Sequence, residues 1–356
     1  MKRSRILAGF ICLALILAAL PLMSACAAKA PEQITLTLVT PLPSFIKGQW
    51  ASYELVDRVN ERAGGRLVID YLGGPEVIGT LDQPEAVRTG AVDILHTWSI
   101  LYMARVPEAY CLPFAQIPTS EMRENGFYDW MSEVHETGMN VYFLGLAQFN
   151  RWFYIFLTEP ASTLNELKGR TIISYDLDHA KVRALGMTPV FMAMEDYYDA
   201  MERGIADGYC SPFSDADEFG LAPVGPYVIL PGTYGVSNVP ILVNLDKWNT
   251  LPKDLQQLMI DVMREIEEEV PTYFEEYDAA AFENLKRDGV EVVRFSPEES
   301  AYYENICYEA GWNEIKPKLS AESYEKLRKL LMVREDYTGM WETRGWGEWP
   351  VQPLYR

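Results

Sequence analysis

The stretch VNLDKWNTLPKDLQQLMIDV, residues 243–262, begins the longest helical pattern in this 356-residue chain and decides how the rest of the fold is arranged. Pro252 stands where a helix begins and Gly289 stands where one ends, positions that these residue types favour. Between them, apolar residues step by three or four along one helical face, namely Leu255, Met259, Val262, Ile266, Val270, Tyr273 and Tyr277. Pro271 lies inside the pattern, so we expect it to kink this helix or to split it in two.

Short β-prone segments alternate with helical segments before this long helix. The β-prone segments are 34–40, 66–74, 92–98, 139–147, 170–176 and 188–192, with a last one at 290–295, and the helical segments are 49–63, 83–90 and 196–208. Such alternation is typical of a parallel sheet with helices packed over its faces. Ser296 to Glu299 have the spacing of a capping box, which predicts that a further helix begins there.

The length and the apolar content bound the domain organisation. With 49% hydrophobic residues the chain can bury a large core, and at this length we expect two lobes. No linker-like composition separates them, which favours lobes joined by several crossing strands. We expect residues 34–150 with about 238–270 to form the first lobe, residues 151–237 with about 271–340 to form the second, and residues 341–356 to form a C-terminal tail.

The first 25 residues have the features of a lipoprotein signal peptide. Three basic residues precede an apolar run at 6–23, and small residues then precede Cys26. Cleavage before Cys26 makes that cysteine the lipid-bearing N-terminus, with residues 26–33 as a tether. The alternative is an uncleaved membrane helix, which Pro21 within the run disfavours. The residue after Cys26 is not the aspartate that holds a lipoprotein in a bacterial inner membrane, so the sequence leaves the choice of membrane open.

The mature chain is strongly acidic. Without the three basic residues of the leader, 28 Lys and Arg face 51 Asp and Glu, a net charge of −23. Such a surface repels nucleic acid and anionic lipid headgroups. We therefore expect no nucleic-acid partner, and contact with a membrane only through the lipid at Cys26.

The cysteines and the short motifs offer little chemistry. Cys12 is removed with the leader and Cys26 is lipidated, which leaves Cys111, Cys210 and Cys307 as one disulfide with a free thiol or as three buried thiols. The sequence has no CxxC, HExxH, GxSxG, phosphate-loop or GxGxxG motif, so neither a metal, a cofactor nor catalysis is expected. A receptor that closes a cleft between two lobes on a solute is the favoured class.

Five segments occur in the order and spacing of one family. They are YLGGPEVIGTLDQPEAVRTGAVDIL (71–95), VPEAYCLPF (106–114), LNELKGRTIIS (164–174), EDYYDAMERGIADG (195–208) and the 243–262 stretch. Together they resemble the solute-binding subunits of tripartite ATP-independent periplasmic (TRAP) transporters, of the DctP type, over roughly residues 34–299. Each segment alone is a weak signal, and the order of all five is a strong one.

The resemblance implies an α/β fold of two lobes, with a cleft between them and a long helix that connects them. It also implies that the cleft clamps one small organic solute, most often a carboxylate. The receptor then delivers this solute to a permease made of a large and a small membrane subunit. The alternative interpretation is a solute-sensing input protein that presents the same bound solute to a signalling partner.

One position departs from the family pattern. In the family, an arginine just after the Leu-Lys-Gly turn holds the ligand carboxylate in a two-pronged salt bridge. Counted from Lys168 and Gly169, that position is Ile173, so we expect an apolar wall in the cleft. The alternative is a one-residue shift that places Ile173 in the core and brings Arg170 or Ser174 nearer the ligand.

The resemblance assigns seven further residues to the cleft: Arg151, His96, Thr97, Trp98, Tyr175, Met194 and Ser211. Arg151 matches a second family arginine and is expected to make any remaining anion contact, unless it is a surface or interlobe residue. Trp98 is suited to stack on a ring, and Tyr175 to donate a hydrogen bond. Because this set is more apolar than a dicarboxylate needs, we expect an aromatic or amphipathic solute whose carboxylate is held by Arg151.

Overall fold

A computed structural model describes residues 33–44, 47–115, 117–148, 151–235 and 239–332. The predicted leader, Cys26 with its lipid, the tether up to residue 32 and the tail at 341–356 lie outside these residues. Within the described ranges, no helix combines the length and the apolar character that crossing a bilayer requires.

The described residues contain eleven strands and eleven helices. The strands are β1 (Ile34–Val39), β2 (Leu67–Gly73), β3 (Ile94–His96), β4 (Val141–Gln148), β5 (Tyr154–Leu157), β6 (Thr171–Ile173), β7 (Thr188–Val190), β8 (Gly208–Ser211), β9 (Tyr227–Leu230), β10 (Val239–Asn244) and β11 (Glu291–Arg294). The helices are α1 (Trp50–Arg62), α2 (Gln83–Thr89), α3 (Thr119–Glu124), α4 (Phe127–Met139), α5 (His179–Ala184), α6 (Tyr197–Glu202), α7 (Phe213–Glu218), α8 (Leu245–Thr250), α9 (Lys253–Arg287), α10 (Pro297–Ile315) and α11 (Ala321–Leu331).

The strands of the described residues form two sheets, and each sheet is the centre of one lobe. The sheet of the first lobe has the order β2-β1-β3-β10-β4, and the sheet of the second lobe has the order β11-β9-β5-β8-β6-β7. All seven predicted β-prone segments coincide with a strand, whereas β5, β8, β9 and β10 were missed. These four strands are almost entirely buried and show no polar alternation, so their sequences lack the period-two signal.

Each sheet contains one strand that runs against the others. β10 is antiparallel to β3 and β4 in the first sheet, and β5 is antiparallel to β8 and β9 in the second. The predicted parallel arrangement therefore holds for most strands, and each sheet is mixed because of one antiparallel strand. The physical reason is that the chain enters β5 and β10 directly from the other lobe and not through a helical crossover.

In this topology the carboxyl ends of most strands of each sheet point toward the other lobe. These ends form what is called the carboxyl edge of the sheet. The chain leaves the first lobe at the carboxyl end of β4 and returns at the amino end of β10, next to the carboxyl ends of β1, β2 and β3. In the second sheet, β5 begins at the edge where β6, β7, β8 and β9 end. Phe153 and Thr233 exchange two backbone hydrogen bonds of 2.9 and 2.8 Å between the two crossing segments. The carboxyl edges of the two sheets thus lie on either side of the crossings.

The long helix α9 runs as one element of 35 residues through Pro271, so of the two expected alternatives the split is wrong and the kink remains a prediction. Its first part packs on α1 and β4 of the first lobe, and its last part packs on α7 of the second. Val270 and Phe274 are both buried on either side of the proline, and this packing offsets the missing backbone hydrogen bond. The buried face follows the predicted stripe as far as Val270, and then continues through Phe274 and Asp278.

The helices α10 and α11 are the last elements of the described chain. The backbone nitrogen of Glu299 donates to Ser296 Oγ at 3.2 Å, so the predicted helix start with Ser296 as its N-cap is confirmed. α11 lies against the first lobe, because Asn125 Nδ2 donates to the Leu330 carbonyl at 2.8 Å. The predicted lobe boundaries, which assign residues from about 271 to 340 to the second lobe, remain a prediction.

Two apolar clusters cover opposite faces of the second sheet. One is continuous with the core of the first lobe and contains Ile172, and the other contains Ile173. Successive residues of a strand point to opposite faces, which explains the division. Cys111, Cys210 and Cys307 are buried as free thiols, one of the two arrangements that the sequence left open.

Candidate functional site

The candidate site lies between the two facing sheet edges. In open α/β sheets, ligands bind beyond the carboxyl ends of the strands, where connections diverge to different sides. The first lobe contributes the residues that follow β3, and the second lobe contributes those that precede β5 and follow or end β6, β7, β8 and β9. All eight predicted ligand-binding residues stand at or next to these edges: His96, Thr97, Trp98, Arg151, Ile173, Tyr175, Met194 and Ser211.

The first-lobe residues that end or directly follow β3 are polar but uncharged. His96 is buried with its Nδ1 2.6 Å from Ser52 Oγ, and burial lowers the pKa of His96 to about 3, so the ring is neutral. The backbone nitrogen of Thr97 donates to the Pro240 carbonyl, while Thr97 Oγ1 is buried without a hydrogen-bond partner among the described residues. Trp98 is half-buried beside them.

Three predicted residues of the second lobe share one apolar cluster. Ile173 is completely buried, pairs with Val190 and Tyr209, and lies in the same cluster as Met194, while the half-buried Tyr175 packs against that cluster. The structure therefore brings Ile173, Met194 and Tyr175 together. Contact of any of them with a ligand remains a prediction.

The alternative in which Arg170 approaches the ligand is wrong. Its guanidinium donates to the carbonyls of Glu159, Pro160 and Glu166 at 2.5, 2.9 and 3.1 Å, at the amino end of β6 and away from the cleft edge. Ser174 lies at the carboxyl end, and its Oγ is buried without a partner among the described residues. Of the two alternative residues, Ser174 is the one near the site.

Arg151 is only 7% exposed, so the surface alternative for it is wrong, and its described side-chain partners belong to the second lobe and to α9. Its Nη2 donates to Ser214 Oγ and, at 2.6 Å, to Asp215 Oδ1. Its Nε lies 3.7 Å from Asp278 Oδ2 and has no hydrogen-bond partner among the described residues. One arginine therefore faces two carboxylates and keeps one donor unused.

The charges around Arg151 are set by burial and by these carboxylates. Burial opposes the charge of Arg151, but Asp215 and Asp278 hold its pKa above the usual range, so the guanidinium stays charged. Burial raises the pKa of Asp278, although Arg151 and Ser214 act against this. Asp215 is 29% exposed and so is the partner that can turn toward water.

A second buried ion pair lies beside the crossing segments. Lys181 and Asp178 are both completely inaccessible, with Lys181 Nζ 2.8 Å from Asp178 Oδ1. Lys181 also donates to the Tyr234 carbonyl, in the segment that leads from β9 back to the first lobe. Burial opposes its charge, but Asp178 raises the pKa of Lys181 above its ordinary value. The pair is neutral overall and fastens α5 to a crossing segment.

Ser211 ends β8 opposite Tyr154 of β5, and its Oγ donates to the Pro212 carbonyl at 3.0 Å. Three residues that contact Arg151 were not predicted from the sequence, namely Ser214, Asp215 and Asp278. A usable signal existed for Asp278, because it occupies the buried face of an amphipathic helix where an apolar residue is normal. No local signal marks the other two.

Comparison with known proteins gives relatives of one kind. A monocarboxylate 2-oxoacid-binding periplasmic protein of Nostoc sp. is 24% identical over 256 residues, 68% of this chain and 68% of the relative. The C4-dicarboxylate-binding protein DctB of Bacillus subtilis is 20% identical over 293 residues, 80% of this chain and 82% of the relative.

A solved structure agrees with the fold. A TRAP periplasmic solute-binding protein from Desulfovibrio salexigens, crystallised with bound orotic acid, superposes with a TM-score of 0.72 at 17% identity, covering 84% of this chain and 97% of that chain. This likeness confirms the predicted two-lobed α/β fold. The family profile of the bacterial extracellular solute-binding proteins of family 7, DctP, matches residues 42–310, and the chain therefore belongs to this family.

Proposed function

We propose that this receptor binds one small organic acid in the cleft between its lobes and delivers it chemically unchanged to a TRAP-type permease. The observation that carries the proposal is the pair of facing sheet edges with buried polar atoms that have no partner among the described residues. These atoms include Thr97 Oγ1 on the first lobe and Ser174 Oγ and Arg151 Nε on the second, where Nε makes an ion pair with Asp278 but no hydrogen bond within the described ranges.

Unpaired buried polar atoms favour a bound solute. Each buried donor or acceptor without a partner costs about 1–3 kcal/mol, and a ligand with matching groups removes that cost. A ligand carboxylate can accept a hydrogen bond from Arg151 Nε. The hydroxyls of Thr97 and Ser174 can each donate to or accept from a further polar group of the ligand. An acid with one carboxylate and a further polar group fits this set.

We infer that the ligand carboxylate takes the place of Asp215 on Arg151. Asp215 holds one arm of the guanidinium and is partly exposed, whereas Asp278 is buried and is also bonded to Ser214. Exchange of one carboxylate for another keeps the charge around Arg151 unchanged. The ligand is then bound in the cleft without burying an additional negative charge beside Asp278.

The names of the relatives support an acid as the solute. They describe a 2-oxoacid and C4-dicarboxylates, and the solved neighbour holds orotic acid. The half-buried rings of Trp98 and Tyr175 at the two edges support an aromatic or amphipathic acid for this chain.

The partners that we propose are the large and the small membrane subunits of the permease. A lipid on Cys26 keeps the receptor beside the membrane, which raises its effective concentration at the permease. The net charge of −23 that remains after removal of the leader requires basic patches on the partner, so delivery should weaken as salt increases.

The first test is ligand binding. The purified protein is unfolded, freed of endogenous solute and refolded, and its melting temperature is followed against aliphatic dicarboxylates, 2-oxoacids, aromatic acids and neutral compounds. We expect at least one acid to raise the melting temperature, because a ligand that binds only the folded state stabilises it. The recovered ligand should be chemically unchanged. A response only to neutral compounds, or turnover of the acid, contradicts the proposal.

A further inference from the structure

An exposed aromatic residue stands at the cleft edge of the second lobe. Phe191 directly follows β7 and is 59% exposed. Its ring meets that of Tyr175 edge to face, with 6.1 Å between centroids and 64° between planes. Tyr175 in turn packs against the apolar cluster that contains Ile173 and Met194. The exposed ring is therefore held by a second ring that the core positions.

The place of this pair in the sheet fits one end of a bound solute. Arg151 precedes β5, Tyr175 follows β6, and Phe191 follows β7, in a sheet where the order is β5-β8-β6-β7. Tyr175 is thus two strands from Arg151 and Phe191 is three, or about 10 and 14 Å at the usual strand spacing. A solute whose carboxylate contacts Arg151 reaches these rings only if its other end is extended.

The charged groups that act on Tyr175 disfavour a second carboxylate. Burial raises the pKa of Tyr175 to about 12, and the charged groups that act in the same direction are Asp215, Glu195 and Asp178. Asp178 is paired with Lys181 and Asp215 with Arg151, whereas Glu195 has no ion-pair partner among the described residues. An anionic end of a solute is repelled here, whereas an uncharged ring is accepted and the phenol stays available as a donor.

We propose that Phe191 and Tyr175 form an aromatic subsite that binds the ring or apolar body of a monocarboxylate solute whose carboxylate is held by Arg151. This inference rests on the proposed function and specifies its ligand. The subsite favours aromatic monocarboxylates over short dicarboxylates, through ring contact at one end and charge repulsion against a second carboxylate.

The experiment measures dissociation constants by calorimetry for phenylpyruvate, pyruvate and succinate. In the wild-type protein we expect phenylpyruvate to bind at least about tenfold more tightly than the other two, the gain of one well-packed ring. Phe191→Ala should remove about tenfold from phenylpyruvate and change pyruvate binding by less than about twofold. Tyr175→Phe keeps the ring and should retain most of the affinity.

A matched control is Phe219→Ala. Phe219 is also exposed, at 43%, but it lies at the end of α7 that is remote from the cleft edge. This variant should bind all three acids like the wild type. Both substitutions are at exposed positions, so loss of folding does not confuse the result.

The outcomes are distinguishable. If acids bind but Phe191→Ala and Phe219→Ala behave alike, the subsite is wrong and the proposed function stands. The same holds if Phe191→Ala leaves binding intact and only slows uptake with the permease, because the ring then serves docking. Tightest binding of succinate also overturns the subsite. If no acid of any class binds, the proposed function and the subsite fail together.

Discussion

Two arginines with little solvent exposure meet the long helix α9, and they differ in how completely their carboxylate partners are satisfied. Arg123 contacts Glu267 within the first lobe, and Arg151 contacts Asp278 at the cleft edge. In each pair, the carboxylate belongs to the buried face of the same helix, where apolar residues are the rule. The two pairs therefore pose the same energetic problem in different surroundings.

The pair in the first lobe is closed, in the sense that both carboxylate oxygens of Glu267 have hydrogen-bond partners. Glu267 Oε2 accepts from Arg123 Nε at 2.5 Å, and Glu267 Oε1 accepts from the Leu146 nitrogen and from the Tyr128 hydroxyl. Arg123 also donates to the Leu144 carbonyl. A fully satisfied buried network makes its surroundings rigid. This pair holds α9 against β4, and both carboxylate oxygens of Glu267 have partners.

The pair at the cleft edge is open, in the sense that a donor of the arginine has no hydrogen bond within the described chain and one carboxylate partner reaches solvent. Arg151 Nε has no hydrogen-bond partner among the described residues, and Asp215 is partly exposed to solvent. The difference teaches that burial of an arginine does not identify its role. The unused donor and the replaceable partner distinguish a candidate binding group from a structural one.

The largest effect is expected from Glu267→Gln. It leaves Arg123 buried without a counter-charge, and a guanidinium cannot escape by losing its proton, so we expect a loss of about 3–5 kcal/mol in the free energy of unfolding. Urea denaturation measures this loss. Glu268→Gln, at an exposed neighbour on the same helix, is the control and should change little. If Glu267→Gln loses as little stability as the control, the Arg123–Glu267 pair does not stabilise the first lobe.

The second prediction concerns Arg151→Ala. We expect acid binding to weaken about a hundredfold, because a partly desolvated charge-assisted contact is lost. Stability should fall less than in Glu267→Gln, since Asp278 can take up a proton and Asp215 can turn to water. Calorimetry and urea denaturation test the two parts. Arg151→Lys keeps the charge without the planar fork and should recover only part of the affinity. Unchanged binding in Arg151→Ala removes this residue from the site.

A third, intermediate effect concerns pH and sharpens the contrast in the first lobe. His135 is buried near the closed pair, with Nε2 3.0 Å from the Tyr102 hydroxyl and Nδ1 2.7 Å from the Met131 carbonyl. Burial lowers its pKa from 6.5 to about 4, although the Met131 carbonyl acts in the opposite direction. Below pH 6.5 the unfolded chain therefore binds a proton that the folded chain refuses, and stability falls as pH falls toward 4.

The measurement is urea denaturation at pH 7 and pH 5 for the wild type and His135→Gln. From pH 7 to pH 5, the wild type should lose about 2 kcal/mol more than the variant does, since only the wild type carries this linkage. Subtraction of the two curves removes the contribution of all other titrating groups. Parallel losses indicate that His135 is protonated inside the folded protein, and that the first lobe is less closed than its contacts imply.

The smallest effect is expected from Asp215→Asn. Removal of this charge weakens the internal competitor for Arg151, so acid affinity should rise about threefold to tenfold, in the range of one exposed ion-pair partner. Calorimetry with phenylpyruvate measures it, and Asp217→Asn on the same helix is the control. A decrease in affinity shows that Asp215 takes part in holding the ligand and is not replaced by it.

Much of the fold follows from local sequence patterns. The apolar stripe from Leu255 to Val270, the capping box at Ser296 and the seven predicted strands all depend on neighbours within a few residues. The order of the five family segments also lies in the sequence, and it identified the two-lobed architecture and the family. The eight candidate site residues were chosen from that order, and their contact with a ligand remains a prediction.

Other features required the folded molecule. The antiparallel strands β5 and β10 carry no local mark of their direction, and the continuity of α9 through Pro271 depends on packing from both lobes. Nothing in the local sequence distinguishes Phe191 from a buried core phenylalanine. It is exposed because it follows β7, the outermost strand of its sheet.

The amino-acid sequence by itself determined the helical and extended segments, the family and the positions of the candidate site residues, because steric preferences and apolar periodicity act between near neighbours. The tertiary structure alone decided which charges meet. Arg123 is 144 residues from Glu267, and Arg151 is 64 residues from Asp215. No local pattern encodes such pairs, since their geometry exists only after both sheets and the helix between them have packed.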